Sequence, residues 1–318
     1  QTLRGISDSG PQHWRGDRAG QNRVEVNGVL ESLEEAAFKE FNPAFVGLVG
    51  RSEELPDRDM QAFTDFAMAL TPPPNPVRRL DNSLTAAQAA GEDIYFNVDD
   101  ITGIGSCNHC HALDPAQRQF GTNGLMTFEG AGIAENFKIP HIRNSYAKAG
   151  MFGTSGDLGD GVHQGDQIKG FGYLHDGSVA TLLDFFASPT FNFPDPEVQS
   201  QANIVRFVMA VDSNMAPVVG QQVTLTQRSD EYVQDRLAVL EERAVVSVPR
   251  PECDLIARGL IDGTRYSAQY EGDSGYRDTS DILRTSGELQ NIARQPGNAV
   301  TFTCLPPGSG RRVALDEI

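Results

Sequence analysis

Four cysteines occur in the 318-residue chain, and two of them fall within five consecutive positions, Cys107-Asn108-His109-Cys110-His111. Thiols at this spacing can each add to a vinyl group of one porphyrin, forming thioethers, and a histidine directly after the second thiol then lies beneath the iron as its fifth ligand. Cys-x-x-Cys-His is the attachment signature of haem c. Cys107 and Cys110 are therefore read as thioether residues and His111 as the proximal ligand of one covalent haem. Other uses of paired thiols need another setting. A thioredoxin-like dithiol opens a helix after a buried strand, and a zinc site needs a second ligand pair at short spacing. Cys253 and Cys304 lie too far along the chain to supply that pair. His109, inside the motif, is read as a spacer.

The sixth iron ligand decides what such a haem does. A thioether raises the reduction potential and suits electron transfer, a second histidine lowers it, and an open position admits peroxide or oxygen. Met151 is the first candidate for the distal ligand. It stands in Ala149-Gly150-Met151-Phe152-Gly153, forty residues after His111, where the glycines let the backbone approach a porphyrin; a methionine filling a core gap is the other reading. Met209 sits among apolar helix residues and is read as core. Met215 follows in an Asp-Ser-Asn-Met-Ala-Pro turn and stays open as a ligand.

The elements that must present these residues can be read from patterning. Residues 84–96 predict a helix starting near position 86, capped by Asn82 or Ser83 and ending eleven residues before Cys107. Upstream, Ser32 and Glu35 form a candidate capping box for a helix within 30–40. Met60, Phe63, Phe66, Ala67 and Leu70 recur at helical spacing over 57–70, until Pro72-Pro73-Pro74-Asn75-Pro76 stops the helix. Further helices are predicted at 178–186, 197–211 and, charged, at 229–244. Beyond 245, alternation near 300–304 and an apolar stretch at 312–315 read as short strands. The expected domains are 1–79, 80–220 and 221–318.

An internal repeat links the first two. Thr2-Leu3-Arg4-Gly5 and then Gly10-Pro11-Gln12-His13-Trp14-Arg15-Gly16 parallel His141-Ile142-Arg143-Asn144 and then Gly172-Tyr173-Leu174-His175-Asp176-Gly177. Phe66-Ala67-Met68-Ala69-Leu70 likewise parallels Phe207-Val208-Met209-Ala210-Val211. Residues 1–79 thus read as the back half of a haem domain whose front half is absent. His13 is taken as the counterpart of His175, with a shared role near each haem: a propionate contact, a distal group or a structural hydrogen bond.

The helix before the motif resembles that of cytochrome c domains. Phe137-Lys138-Ile139-Pro140-His141-Ile142-Arg143-Asn144 and Tyr173-Leu174-His175-Asp176-Gly177-Ser178-Val179-Ala180-Thr181-Leu182 resemble the second haem domain of the bacterial di-haem cytochrome c peroxidase superfamily, over roughly residues 84–215 with an echo in 1–79. The resemblance implies a mostly helical domain around the haem, with Arg143 and the His175 loop close to it. Arg143 would then meet a haem propionate or, in a peroxidase-like site, stabilise developing negative charge. The expected fold is mainly α: a cytochrome c-like helical haem domain, preceded by a partial haem-domain-like segment and followed by a small C-terminal module with short β-strands. The sequence also departs from the family. The methionine ligand of family members falls about fourteen residues after the histidine of Tyr-x-His-x-Gly, a spacing that lands here on Pro189. Another residue then binds the iron, or the sixth position is open.

The remaining cysteines, Cys253 and Cys304, form an even pair. Haem c is attached in an oxidising compartment, so a disulfide is the simple reading, with two buried free thiols as the alternative. A bridge would stabilise the C-terminal module by about 4 kcal/mol in the chain-entropy model. His163, in the Gly/Asp-rich stretch 153–170, reads as a solvated loop residue. The acidic loops 97–100 and 157–166 offer oxygen ligands for calcium but lack the EF-hand pattern, and solvated loops are the default there.

Composition limits the partners. With 26 Lys and Arg against 43 Asp and Glu, the net charge of −17 repels nucleic-acid phosphates and anionic lipids and favours a basic redox partner. No apolar run reaches a membrane-spanning length. The chain opens at Gln1 without a signal-like segment, which suggests a processed form or a fragment of a longer precursor. The leading expectation is electron transfer by a periplasmic or extracellular c-type cytochrome. A peroxidase-like di-haem oxidoreductase acting on peroxide or oxygen is the first alternative. The second is a haem-bearing structural subunit of a larger redox assembly, in which upstream chain or a partner completes a second haem site.

Overall fold

The computed structural model describes residues 2–26, 28–99, 101, 103, 105–122, 126–127, 136–150, 170–174, 177, 179–246 and 251–315. The chain divides into two compact units, one made of residues 1–77 and 84–214, the other of 78–83 and 215–318.

In the first unit the helix Ala86–Asn97 packs along Glu197–Met209. Its cap is Thr85, which forms a capping box with Gln88. Ser83 is engaged elsewhere, its amide and hydroxyl both donating to the Asp81 carboxylate. The two helices approach closely at Gly91, where a Cβ would lie 2.1 Å from the Asn203 carbonyl oxygen. Ile94, Tyr95, Ile204, Phe207 and Val208 form the core between them, extended by Ile101, Leu182 and Phe186. A smaller core gathers Ile6, Phe38, Met60 and Ala67, from the capped helix Leu33–Lys39, the helix Asp57–Ala69 and the turn Ile6–Asp8.

The second unit overturns the expectation of a mainly α, cytochrome c-like fold with only short strands. It is built on one six-stranded antiparallel sheet, ordered Leu283–Arg284, Tyr276–Asp278, Thr264–Tyr270, Asp254–Ile261, Ala299–Leu305, Gln222–Thr226. The physical reason is local. Asp262 and Gly263 both take left-handed backbone (φ 51° and 76°), the geometry of a two-residue hairpin, and join the two long central strands. Val300, Phe302 and Cys304 alternate with half-buried residues, so one face of their strand is core. The helix Glu231–Val245 covers that face through Leu237 and Leu240. The stretch at 312–315 is not a strand: it falls in and just after the helix Gly310–Ala314. Cys253 and Cys304 are joined as a disulfide, 51 residues apart in sequence with a Cα–Cα distance of 5.3 Å. Among the described residues no helix is long and apolar enough to cross a membrane.

The repeat seen in the sequence has a backbone counterpart in the first unit. Gly5 and Asn144 both adopt left-handed conformations, φ 75° and 59°, and each opens a short helical turn. The two later segments are each closed by an isolated antiparallel bridge, Gln12 with Arg18 and Tyr173 with Val179. Within them His13 and Leu174 share positive φ (67° and 65°), as do Gly16 and Gly177 (67° and 71°). This register corrects the expected pairing of His13 with His175. His13 corresponds to Leu174, and His175 lies outside the described residues.

Candidate haem-attachment site

Cys107 and Cys110 are both free and lie on a single helical turn, Cys107–Cys110, which follows a loop rather than a buried strand. Asn108 shapes the exit of this turn by accepting the Leu113 amide at 2.9 Å, and His109 is exposed. Burial pushes the Cys107 thiol up to about 11, opposite to the depressed value of a redox dithiol. Among the described residues no three His, Cys, Asp or Glu side chains are grouped to hold a metal ion.

His111 ends the turn, and its ring is oriented by backbone. Nδ1 lies 2.8 Å from the Gly121 carbonyl oxygen and 3.1 Å from that of Pro140. Two acceptors at one nitrogen require that Nδ1 carry the proton, which leaves Nε2 as the lone-pair atom. Burial lowers the pKa of His111, with the two carbonyls acting in the opposite sense, so the neutral ring is favoured. The Tyr95 hydroxyl, buried on the preceding helix, donates to the His111 carbonyl. Gly121 reaches the histidine because it lacks a side chain. Its φ is +91°, and a Cβ would sit 2.5 Å from the Ile142 side chain. Tight hairpin pairing of Leu113–Asp114 with Gln119–Phe120 and the Ile142 amide bond to Phe120 hold it there, the latter at 2.9 Å.

These features fit a haem ligand set. The thiols are unpaired, the histidine is adjacent, and a carbonyl-anchored Nδ1 is the support that metal-binding imidazoles use.

Arg143 is fully buried and serves as a tie between distant parts of the unit. Its Nη2 donates to the Gly5 carbonyl at 2.7 Å, Nη1 contacts Asp8 at 3.3 Å and donates to Asn214, and the guanidinium stacks 4.1 Å from the Phe120 ring centroid. Asp8 is shared with Arg118 at 2.6 Å and with the Asn214 amide at 2.8 Å. Only Nε of Arg143 is buried without a partner among the described residues. Met151, His163 and His175 lie outside the described residues, as do Asp100 and the loop 157–166. Met209 packs against the core of the first unit and Met215 against that of the second.

The sequence reading did not single out Tyr95, Gly121, Pro140 or Asp8. Nor did it assign a role to Lys138, His141 or Lys148. Their signal is spatial: the Gly121 and Pro140 carbonyls meet at the His111 ring, and the Lys148 charge acts on it.

No protein-family model matches the chain, and no curated protein does. A chain from the structure of Kuenenia stuttgartiensis hydrazine synthase pressurised with 20 bar xenon superimposes with a TM-score of 0.43 at 19% identity, covering 66% of this chain and 71% of that one. That likeness is too loose to define a shared fold or a shared chemistry.

Proposed function

We propose that this chain is a c-type haem protein working in electron transfer outside the cytoplasm. Cys107 and Cys110 would hold the haem as thioethers, and His111 Nε2 would ligate the iron. The observation that carries the reading is the pair of backbone acceptors on His111 Nδ1, which fixes both tautomer and ring orientation. The haem would supply reversible one-electron chemistry. The chain's own part is to orient the imidazole through Gly121 and Pro140, to anchor its backbone through Tyr95, and to cover the site with the Ile94, Tyr95 and Phe207 core. Met151 remains the first distal candidate. The Cys253–Cys304 disulfide supports a periplasmic or extracellular setting, and the charge of −17 supports a basic redox partner protein.

A second reading, a di-haem oxidoreductase related to the cytochrome c peroxidase superfamily, is favoured by the duplicated backbone geometry. The first repeat carries a largely apolar cavity of about 300 Å³ lined by Ile6, His13, Phe38, Phe41, Phe45 and Phe63 among others, and a second haem there would rest its face on these side chains. Reduced-minus-oxidised spectra combined with intact mass test both readings. One covalent haem with a sulfur-to-iron charge-transfer band that disappears in Met151→Ala supports the carrier. Peroxide turnover with a reduced cytochrome donor supports the enzyme. A protein without haem after expression alongside a cytochrome c maturation system refutes both.

A further inference from the structure

The short segment that anchors His111 also concentrates positive charge. Lys138 stands on the strand Phe137–Lys138, His141 follows directly after Pro140, and Lys148 ends the turn Ser145–Lys148. Lys148 Nζ reaches back to the His141 carbonyl at 3.5 Å. The three groups repel one another electrostatically and Arg143 repels Lys138 and His141; Lys148 also acts on His111 itself. Burial lowers both lysines to about 8, and for Lys148 burial is the whole cause. Among the described residues, compensating carboxylates are few. Glu34 acts on Lys138, and Asp8 is committed to Arg143, Arg118 and Asn214. His141 Nδ1 is buried with no hydrogen-bond partner among the described residues.

Half-buried cations with little counter-charge are costly, and an unpartnered buried nitrogen adds to that cost. An arrangement of this kind is stable when an anion completes it. The anion must enter beside His111, because Pro140 is at once an acceptor for the proximal ring and the neighbour of His141.

We propose that Lys138, Lys148 and His141 Nδ1 form a carboxylate-binding cluster that receives the propionates of the haem held at Cys107, Cys110 and His111. This inference rests on the haem reading above. Arg143 has a separate duty, because both of its Nη groups are already bonded to Asp8, Asn214 and Gly5. The lysines would act as positioning residues for the haem, and their positive charge would favour its reduced state.

The test uses the full-length holoprotein, with covalent haem first verified by intact mass. In the double variant Lys138→Met and Lys148→Met the midpoint potential falls, the redox equilibrium moving about tenfold toward the oxidised form, equivalent to about 59 mV for one electron. Resonance Raman bands of propionate bending shift, while those reporting the iron–histidine bond stay in place. Lys138→Arg with Lys148→Arg restores the midpoint, and single Lys→Gln variants give intermediate shifts if the double variant folds poorly. An unchanged midpoint and unchanged propionate bands in a haem-loaded variant overturn the cluster while leaving the haem reading intact. A midpoint that instead follows added formate, and does so only when both lysines are present, overturns the propionate assignment in favour of an exchangeable carboxylate. Absence of haem from the parent protein overturns both.

Discussion

The two units use their cysteines in opposite ways. In the second, Cys253 and Cys304 are bonded to each other within a sheet whose core is continuous and whose strand Ala299–Leu305 alternates buried and half-buried residues. In the first, Cys107 and Cys110 stay free on a single turn, and the chain around them runs in two-residue strands and four-residue helices held by polar ties. A sheet that buries its own apolar face needs nothing else to fold. A segment of tight turns, with buried cations and a histidine aimed by carbonyls, is the framework of something it encloses. If the first unit holds the proposed haem, its stability should depend on that ligand, and the stability of the sheet unit should not.

The largest effect should come from Cys253→Ser with Cys304→Ser. Loss of the bridge lowers the stability of the second unit by about 4 kcal/mol, measured by segment-resolved hydrogen exchange, and leaves the haem spectrum as it was. A spectrum that changes would break the contrast between the units. Arg143→Met should cost the first unit about 3 kcal/mol by leaving Asp8 buried beside only one of its two guanidinium partners, with protection in the second unit unaltered. Gly121→Ala should cost about 2 kcal/mol, because its Cβ collides with Ile142 at a left-handed backbone position. It should also displace the carbonyl from His111 and shift the midpoint potential, whereas a purely structural glycine would leave the potential unmoved. Thr85→Ala removes one half of a capping box and should cost about 1 kcal/mol, seen as faster exchange at the start of the helix Ala86–Asn97 alone.

Much of the first unit was legible because local chemistry decides it. The Ser32 and Glu35 capping box, the apolar stripe of Asp57–Ala69 and the helix Glu197–Met209 are all set by side chains within a few residues of one another. The cap of Ala86–Asn97 was misplaced because Asp81 captures Ser83, a competition that composition does not reveal. The sheet was underestimated because its strands come from both sides of a fifteen-residue helix, Gln222–Thr226 pairing with Ala299–Leu305. Only Asp262-Gly263 signalled a hairpin locally. In the repeat, residue identity suggested that His13 matches His175, whereas backbone conformation pairs His13 with Leu174. Glycines and left-handed residues proved the better markers of register. The motif at Cys107 was plain in the sequence, but its support was not, since Gly121, Pro140 and Tyr95 contribute backbone atoms or a hydroxyl that no motif encodes.

The central claim is that Cys107, Cys110 and His111 hold one haem covalently, and intact mass of the full chain produced with a cytochrome c maturation system tests it most directly. The account predicts a mass increased by one haem that survives denaturation, lost when Cys107→Ser and Cys110→Ser are combined, with the sheet unit still folded. A mass equal to that of the bare polypeptide, or one showing Cys107 and Cys110 joined to each other, would contradict it.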